Sequence, residues 1–144
     1  MVDRIFHMSD QTASALMTPR TQIAWIDLAE SRTEQLRIIR RELSKVIAIR
    51  TIHTLTGVNT LANYTESPKQ AFKYLSQGYG FIYALQFTRK PDGSLYFTYD
   101  EVKALQNQLI AGSGLWNRSR LLAPAQTVGS LKNIAQQIAE RYEL

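Results

Sequence analysis

Residues 31–49 read SRTEQLRIIRRELSKVIAI, and the fold class turns on where the helix that opens this stretch stops. Ser31 and Glu34 stand at the capping-box spacing, in which each side chain satisfies the other's free backbone N–H. Leu36, Ile39 and Leu43 then mark a buried stripe at the helical period, with Arg32, Arg37, Arg40 and Arg41 mostly off it. The helix is expected to end near Ser44. KVIAI at 45–49, a short apolar run bounded by charges, reads as a β-strand buried on both faces. Just upstream, IAWIDL at 23–28 is dense in strand-favouring types and reads as an earlier strand. Before it, Ile5, Met8, Thr12, Ala15 and Leu16 recur near helical spacing, and Pro19 closes that run by disfavouring the helical conformation at Thr18.

Working outward toward the C-terminus, residues 50–66 read as a turn at Gly57 and a short helix through Leu61 and Tyr64, with a third strand at LTGVNT (55–60) as the alternative. Ser67, Pro68 and Gln70 combine an N-cap, a first-turn proline and a second capping box. Phe72, Leu75, Tyr79, Ile82 and Tyr83 carry that helix to about Phe87, and Gly78 and Gly80 within it imply close packing against another backbone. Lys90-Pro91-Asp92-Gly93 is a turn and LYFTY (95–99) a short extended segment. Thr98 with Glu101 is a third capping box, opening a helix with Val102, Leu105, Leu109 and Ile110 on one face and Gly112 as its stop. Val128, Leu131, Ile134, Ile138 and Tyr142 give a final helix. The sum is a mainly helical α+β protein, a small helix-strand-helix-strand unit packed on three C-terminal helices. It divides into residues 1–66 and 67–144, which share one core.

A chain of 144 residues with 44% hydrophobic and 20% charged residues has enough apolar surface for one ordinary core. Its net charge of +5 permits an anionic partner without requiring one, and no block of basic residues points to nucleic acid. The absence of cysteine excludes disulfides, thiolate metal sites and a cysteine nucleophile. MVDRIFHMSD leads into no apolar run of signal-peptide length, and GFIYALQF (80–87) falls far short of the roughly 18 to 20 residues of a membrane span. The expectation is a cytoplasmic chain with no membrane partner.

The stretch RIFHMSDQTASALMTPRTQIAWIDLAESRTEQLRIIRRELSKVIAI (4–49) resembles the first half of a cystathionine-β-synthase (CBS) domain of bacterial hemolysin-type and magnesium/cobalt-efflux-associated proteins. Met17, Thr18, Pro19 and Arg20, the strand through Ile26 and Asp27, and the charged helix that follows carry the resemblance. It implies an adenosyl-nucleotide site made by Thr18, Ile26, Gly57, Thr60 and Asn63. Asn63 stands where the family has an acid, and an amide cannot accept two ribose hydroxyls as a carboxylate does. AMP or ATP would therefore be at most a weakly held ligand, and no cofactor is expected. LSQGYGFIYALQFTRKPDGSLYFTYDEV, LIAGSGLWN and LKNIAQQIAERY are similar to the C-terminal part of an uncharacterised helical domain of bacterial secreted or surface lipoproteins. Together the two resemblances imply a chimeric or engineered chain.

Other motifs read more simply as structure. His7 and His53 have no second metal ligand at a suitable spacing. GSG at 112–114 lacks the surroundings of a nucleophile elbow, and GYG at 78–80 those of a phosphate loop. The Arg37, Arg40, Arg41 and Lys45 group reads as a solvated helix face, and the aromatics from Phe72 to Tyr99 as core. No paired groups for acid–base or nucleophilic chemistry stand out, so no enzymatic activity is expected. The expected function is a noncatalytic binding or regulatory module derived from an adenosyl-nucleotide sensor, its binding weakened or lost. The alternative is a structural, self-associating domain. Exposed strand edges of a half-module predict a homodimer.

Overall fold

The helix that begins after Ser31 does not stop at Ser44. In the computed structural model, which describes residues 27–57 and 67–144, it runs unbroken as α1, Arg32–Thr56, through 25 residues. Its start is tied down locally. The Asp27 carboxylate accepts from the Ala29 N–H at 2.8 Å, and Ser31 Oγ accepts from the Glu34 N–H at 3.3 Å. The Gln35 amide reaches back to the carbonyls of Asp27, Leu28 and Glu30 at 3.0–3.4 Å.

The α+β expectation is therefore corrected: the protein is mainly helical, with no strand among the described residues. KVIAI lies inside α1, where Val46 and Ile49 are 60% and 52% exposed instead of buried on both faces. A run of five apolar residues carries too little periodicity to separate strand from helix. What decides is the face that continues through it: Ser44, Ala48, Thr51 and Leu55, at steps of four, three and four, are all buried. Three threonines in the last turns would disfavour a helix by their branching. Each returns its hydroxyl to the carbonyl four residues back, Thr51 to Ile47 (2.7 Å), Thr54 to Arg50 (2.7 Å) and Thr56 to Ile52 (2.9 Å). These bonds satisfy the hydroxyls, of which those of Thr51 and Thr54 are buried. Of IAWIDL, Leu28 lies in a turn and residues 23–26 lie outside the described residues. Of LTGVNT, Leu55 and Thr56 end α1 and residues 58–60 lie outside. LYFTY contributes only Leu95, in an isolated antiparallel bridge to Arg89.

The remaining elements are helices. α2, Pro68–Ala84, starts at Ser67 with the proline in its first turn but without a side-chain cap bond, and tightens into a 3-10 turn, Leu85–Phe87. α3, Tyr99–Leu109, has the full capping box: Glu101 N–H to Thr98 Oγ1 at 3.3 Å and Thr98 N–H to Glu101 Oε2 at 2.8 Å. A 3-10 turn at Gly114–Trp116 leads to the single-turn α4, Arg118–Leu121, and then α5, Leu131–Tyr142, capped by Ser130.

The chain divides into two compact units, residues 1–35 and 36–144. Within the second, α2 packs on α3 and α3 on α5. Their shared core is built from Leu75, Ile82 and Leu85, Leu105 and Leu109, and Leu131, Ile134 and Ile138. α1 joins it through Ala48 and Leu55. Where α1 meets α2, a Cβ on Gly78 would lie 2.8 Å from Leu55 Cδ2, so a larger residue there would force the Leu55 side chain to shift; Gly80 meets nothing within 4 Å.

Candidate functional site

Of the five residues assigned to an adenosyl site, Thr18, Ile26, Thr60 and Asn63 lie outside the described residues. Gly57 closes α1, its N–H donating to the His53 carbonyl at 2.8 Å. The geometry draws attention to two other features of the second unit, both centred on α1.

The first is an apolar seam. The face of α1 that enters the core is lined by Ser44, Ala48, Thr51 and Leu55, with Ile47 and Ile52 partly buried against it, whereas the stripe expected to be buried, Leu36, Ile39 and Leu43, is exposed. Leu36, Ile39, Leu43 and Val46, spaced by three, four and three, are 39%, 37%, 58% and 60% exposed. These residues share one side of a helix. The exposed aromatics lie elsewhere: Trp116 meets Phe72 edge-on with ring centroids 4.3 Å apart, and Tyr83 meets Phe87 at 5.8 Å. Part of the aromatic series expected in the core is therefore at the surface, while Tyr96 and Phe97 are buried.

The second is a basic cavity of about 340 Å³. α1 contributes Arg41 and Lys45, the turn after the 3-10 helix contributes Lys90 and Pro91, and the end of α5 contributes Arg141 and Glu143. Ser44 sets two of these walls in register. Its hydroxyl accepts from the Arg89 N–H at 3.0 Å and donates to the Arg89 carbonyl at 3.1 Å, fixing the chain beside Lys90 against α1. The turn is closed by Lys90 N–H to Ser94 O at 2.8 Å, with Gly93 at φ +88°, a conformation that favours glycine. The Ser94 hydroxyl and N–H both donate to Asp92 and hold its carboxyl below the usual range. Tyr96 and Tyr142 also line the cavity, stacked at 4.1 Å with an interplanar angle of 21°. The Tyr142 hydroxyl is turned inward to Thr88 at 2.5 Å, and burial pushes its phenol up to about 12. Burial likewise raises Tyr96.

A family model described as Domain of unknown function (DUF4856) matches residues 3–144. The chain belongs to this family. No curated protein and no solved structure matches it. The DUF4856 match runs without a break across the junction between residues 66 and 67, so it lends no support to a chimeric origin, and it carries no sign of a CBS domain.

Two polar ties shape the DUF4856 domain around these features. Arg141 donates to the Tyr96 carbonyl at 3.1 Å and to Glu101 Oε1 at 2.8 Å, while its guanidinium lies 4.7 Å from the Phe97 ring centroid. The Thr98 N–H and then Arg141 hold the Glu101 carboxyl below its ordinary value. Arg120 gathers the carbonyls that end α3. Nη1 donates to Gln108 at 2.7 Å and to Gly129, and Nη2 donates to Leu109 at 2.9 Å and Ala111 at 3.2 Å. Neither tie was visible in the sequence, because each joins residues distant along the chain without a motif. Among the described residues, no three His, Asp or Glu side chains gather as metal ligands would, and no helix is long and apolar enough to cross a membrane.

Proposed function

We propose that this DUF4856 domain is a noncatalytic interaction module that pairs with a second copy of itself through the outer face of α1. The observation that carries the reading is the exposure of Leu36, Ile39, Leu43 and Val46 on one side of a 25-residue helix. Steps of three and four are those of a coiled-coil seam, in which each side chain enters a hole formed by a helix of the same spacing. A helix bearing such a seam is its own complement, which favours a second copy as the occupant. The seam spans ten residue steps, about 15 Å or nearly three turns of helix, with one side chain in each of four layers. This helix face takes the place of the strand edges from which pairing was first expected. AMP or ATP sensing rests, apart from Gly57 at the end of α1, on residues outside those described, and no feature of the second unit adds support to it.

The test is mass by light scattering across a hundredfold dilution series, for the unaltered chain and for the Leu43→Glu, Val46→Glu double variant. Both positions are exposed, so the fold should survive the change, as checked by circular dichroism. The expected outcome is a dimer that the double variant converts to a monomer. A monomer at every concentration, or a dimer indifferent to the two glutamates, overturns the reading.

A further inference from the structure

We infer that the basic cavity beside α1 is a binding site for a small oxyanion carrying two or more negative charges, of the phosphate or polycarboxylate type. Four cationic side chains, Arg41, Lys45, Lys90 and Arg141, line about 340 Å³ with Glu143 as the one acidic residue of the lining, while Glu42 and Glu101 pair with the two arginines from outside it and Asp92 lies near Lys90. That volume lies at the lower end of the range for small-molecule sites, about 300–1,000 Å³. Like charges brought to one concavity repel, and a bound anion is what makes such an arrangement favourable.

The cations are not equivalent, and their differences define the ligand. Arg141 is already committed to Glu101, the Tyr96 carbonyl and the Phe97 ring, so it forms a fixed wall. Arg41 Nε is held by Glu42 Oε1 at 2.7 Å, which leaves its terminal nitrogens as donors. Lys45 and Lys90 take part in no ion pair among the described residues. Two ammonium groups from different elements, α1 and the turn, are point charges that suit separate oxyanion groups of one ligand. The walls are set in advance: Ser44 ties the Arg89 backbone beside Lys90 to α1, Pro91 has a restricted backbone, and Tyr96 and Tyr142 are stacked. Little ordering is then left for binding to oppose. Glu143, whose backbone is left-handed at φ +56°, sits at the same cavity and disfavours an anion. It is therefore a tuning residue whose removal should tighten binding.

The experiment is titration calorimetry of the full chain with inorganic pyrophosphate and, separately, citrate, at fixed ionic strength so that screening is constant. The variants are Lys45→Gln, Lys90→Gln, Glu143→Gln and, as a control on the exposed side of α5, Lys132→Gln. Binding of pyrophosphate alone assigns a phosphate-type ligand, binding of citrate alone a polycarboxylate, and binding of both the shared oxyanion chemistry. In each case the affinity should fall about tenfold or more in either cavity lysine variant, rise in Glu143→Gln, and stay unchanged in Lys132→Gln. No binding of either probe overturns the inference. So does an equal loss in Lys132→Gln, which would mean a diffuse charge effect.

Discussion

Tyr142 shows how one side chain links the core to the cavity. Its ring is 2% exposed and stacks on Tyr96, while its hydroxyl meets Thr88 in the interior. Thr88 Oγ1 also donates to the Leu85 carbonyl at 2.5 Å, and a hydroxyl has one hydrogen, so Tyr142 is the donor in the shared bond. The phenol, raised to about 12, keeps its proton in the folded chain after an unfolded one, near 10, has lost it. The unfolded state then binds fewer protons, so stability is flat below about pH 10 and declines between about pH 10 and 12. The expected fall is on the order of 2 kcal/mol. Urea unfolding at stepped pH should show it, and Tyr142→Phe should reduce its slope, leaving the part due to Tyr96. An unchanged slope in the variant would mean that the phenol is hydrated in the folded chain.

At the scale of elements, sequence reading was accurate where local chemistry decides and inaccurate where packing decides. The start of α2 at Ser67-Pro68, the full capping box of α3 and the turn at Lys90–Gly93 follow from residues within four positions of one another. The sequence pattern ends α1 at Ser44 because the buried face that continues past it is made of Ser44, Ala48 and Thr51 before it reaches Leu55, while Leu36, Ile39 and Leu43, which would normally mark the core, are exposed. Three of the four seam residues, Leu36, Ile39 and Leu43, are legible as a helical stripe, but nothing local says that it faces outward, and the cavity lysines lie 45 residues apart. Arg120 is the strongest case of packing without a sequence signal, since one guanidinium joins α4, the end of α3 and Gly129. A Cβ at Gly129 would lie 3.0 Å from Arg120 Nη1 and 3.1 Å from the Gln108 carbonyl, so the clamp also requires this glycine. Arg120→Lys keeps the charge but not the planar fork. It should cost about 3 kcal/mol in urea unfolding, with the denaturant slope unchanged. A loss below about 1 kcal/mol would mean that solvent replaces those bonds readily.

At the scale of the whole second unit, α1 carries both proposed activities on different sides. Successive residues turn by about 100° around a helix. Arg41 and Lys45 therefore flank the buried face of Ser44 and Ala48, while Leu43 and Val46 lie on the side turned outward. A partner helix seated on the seam would leave the cavity open, and an anion between Lys45 and Lys90 would not touch the seam. Coupling between two sites requires each ligand to favour one of two arrangements of a shared element. α1 offers no such choice here, because Ser44 fixes it to the Arg89 backbone whether or not either site is filled. The expectation is independence: pyrophosphate affinity measured in the Leu43→Glu, Val46→Glu variant should match that of the unaltered chain within about twofold, near the limit of additivity for separate sites. Likewise, saturating pyrophosphate should not shift the concentration at which the dimer dissociates. A tenfold change in either measurement would show that α1 moves as the sites fill, making the helix the element through which self-association and anion binding regulate one another.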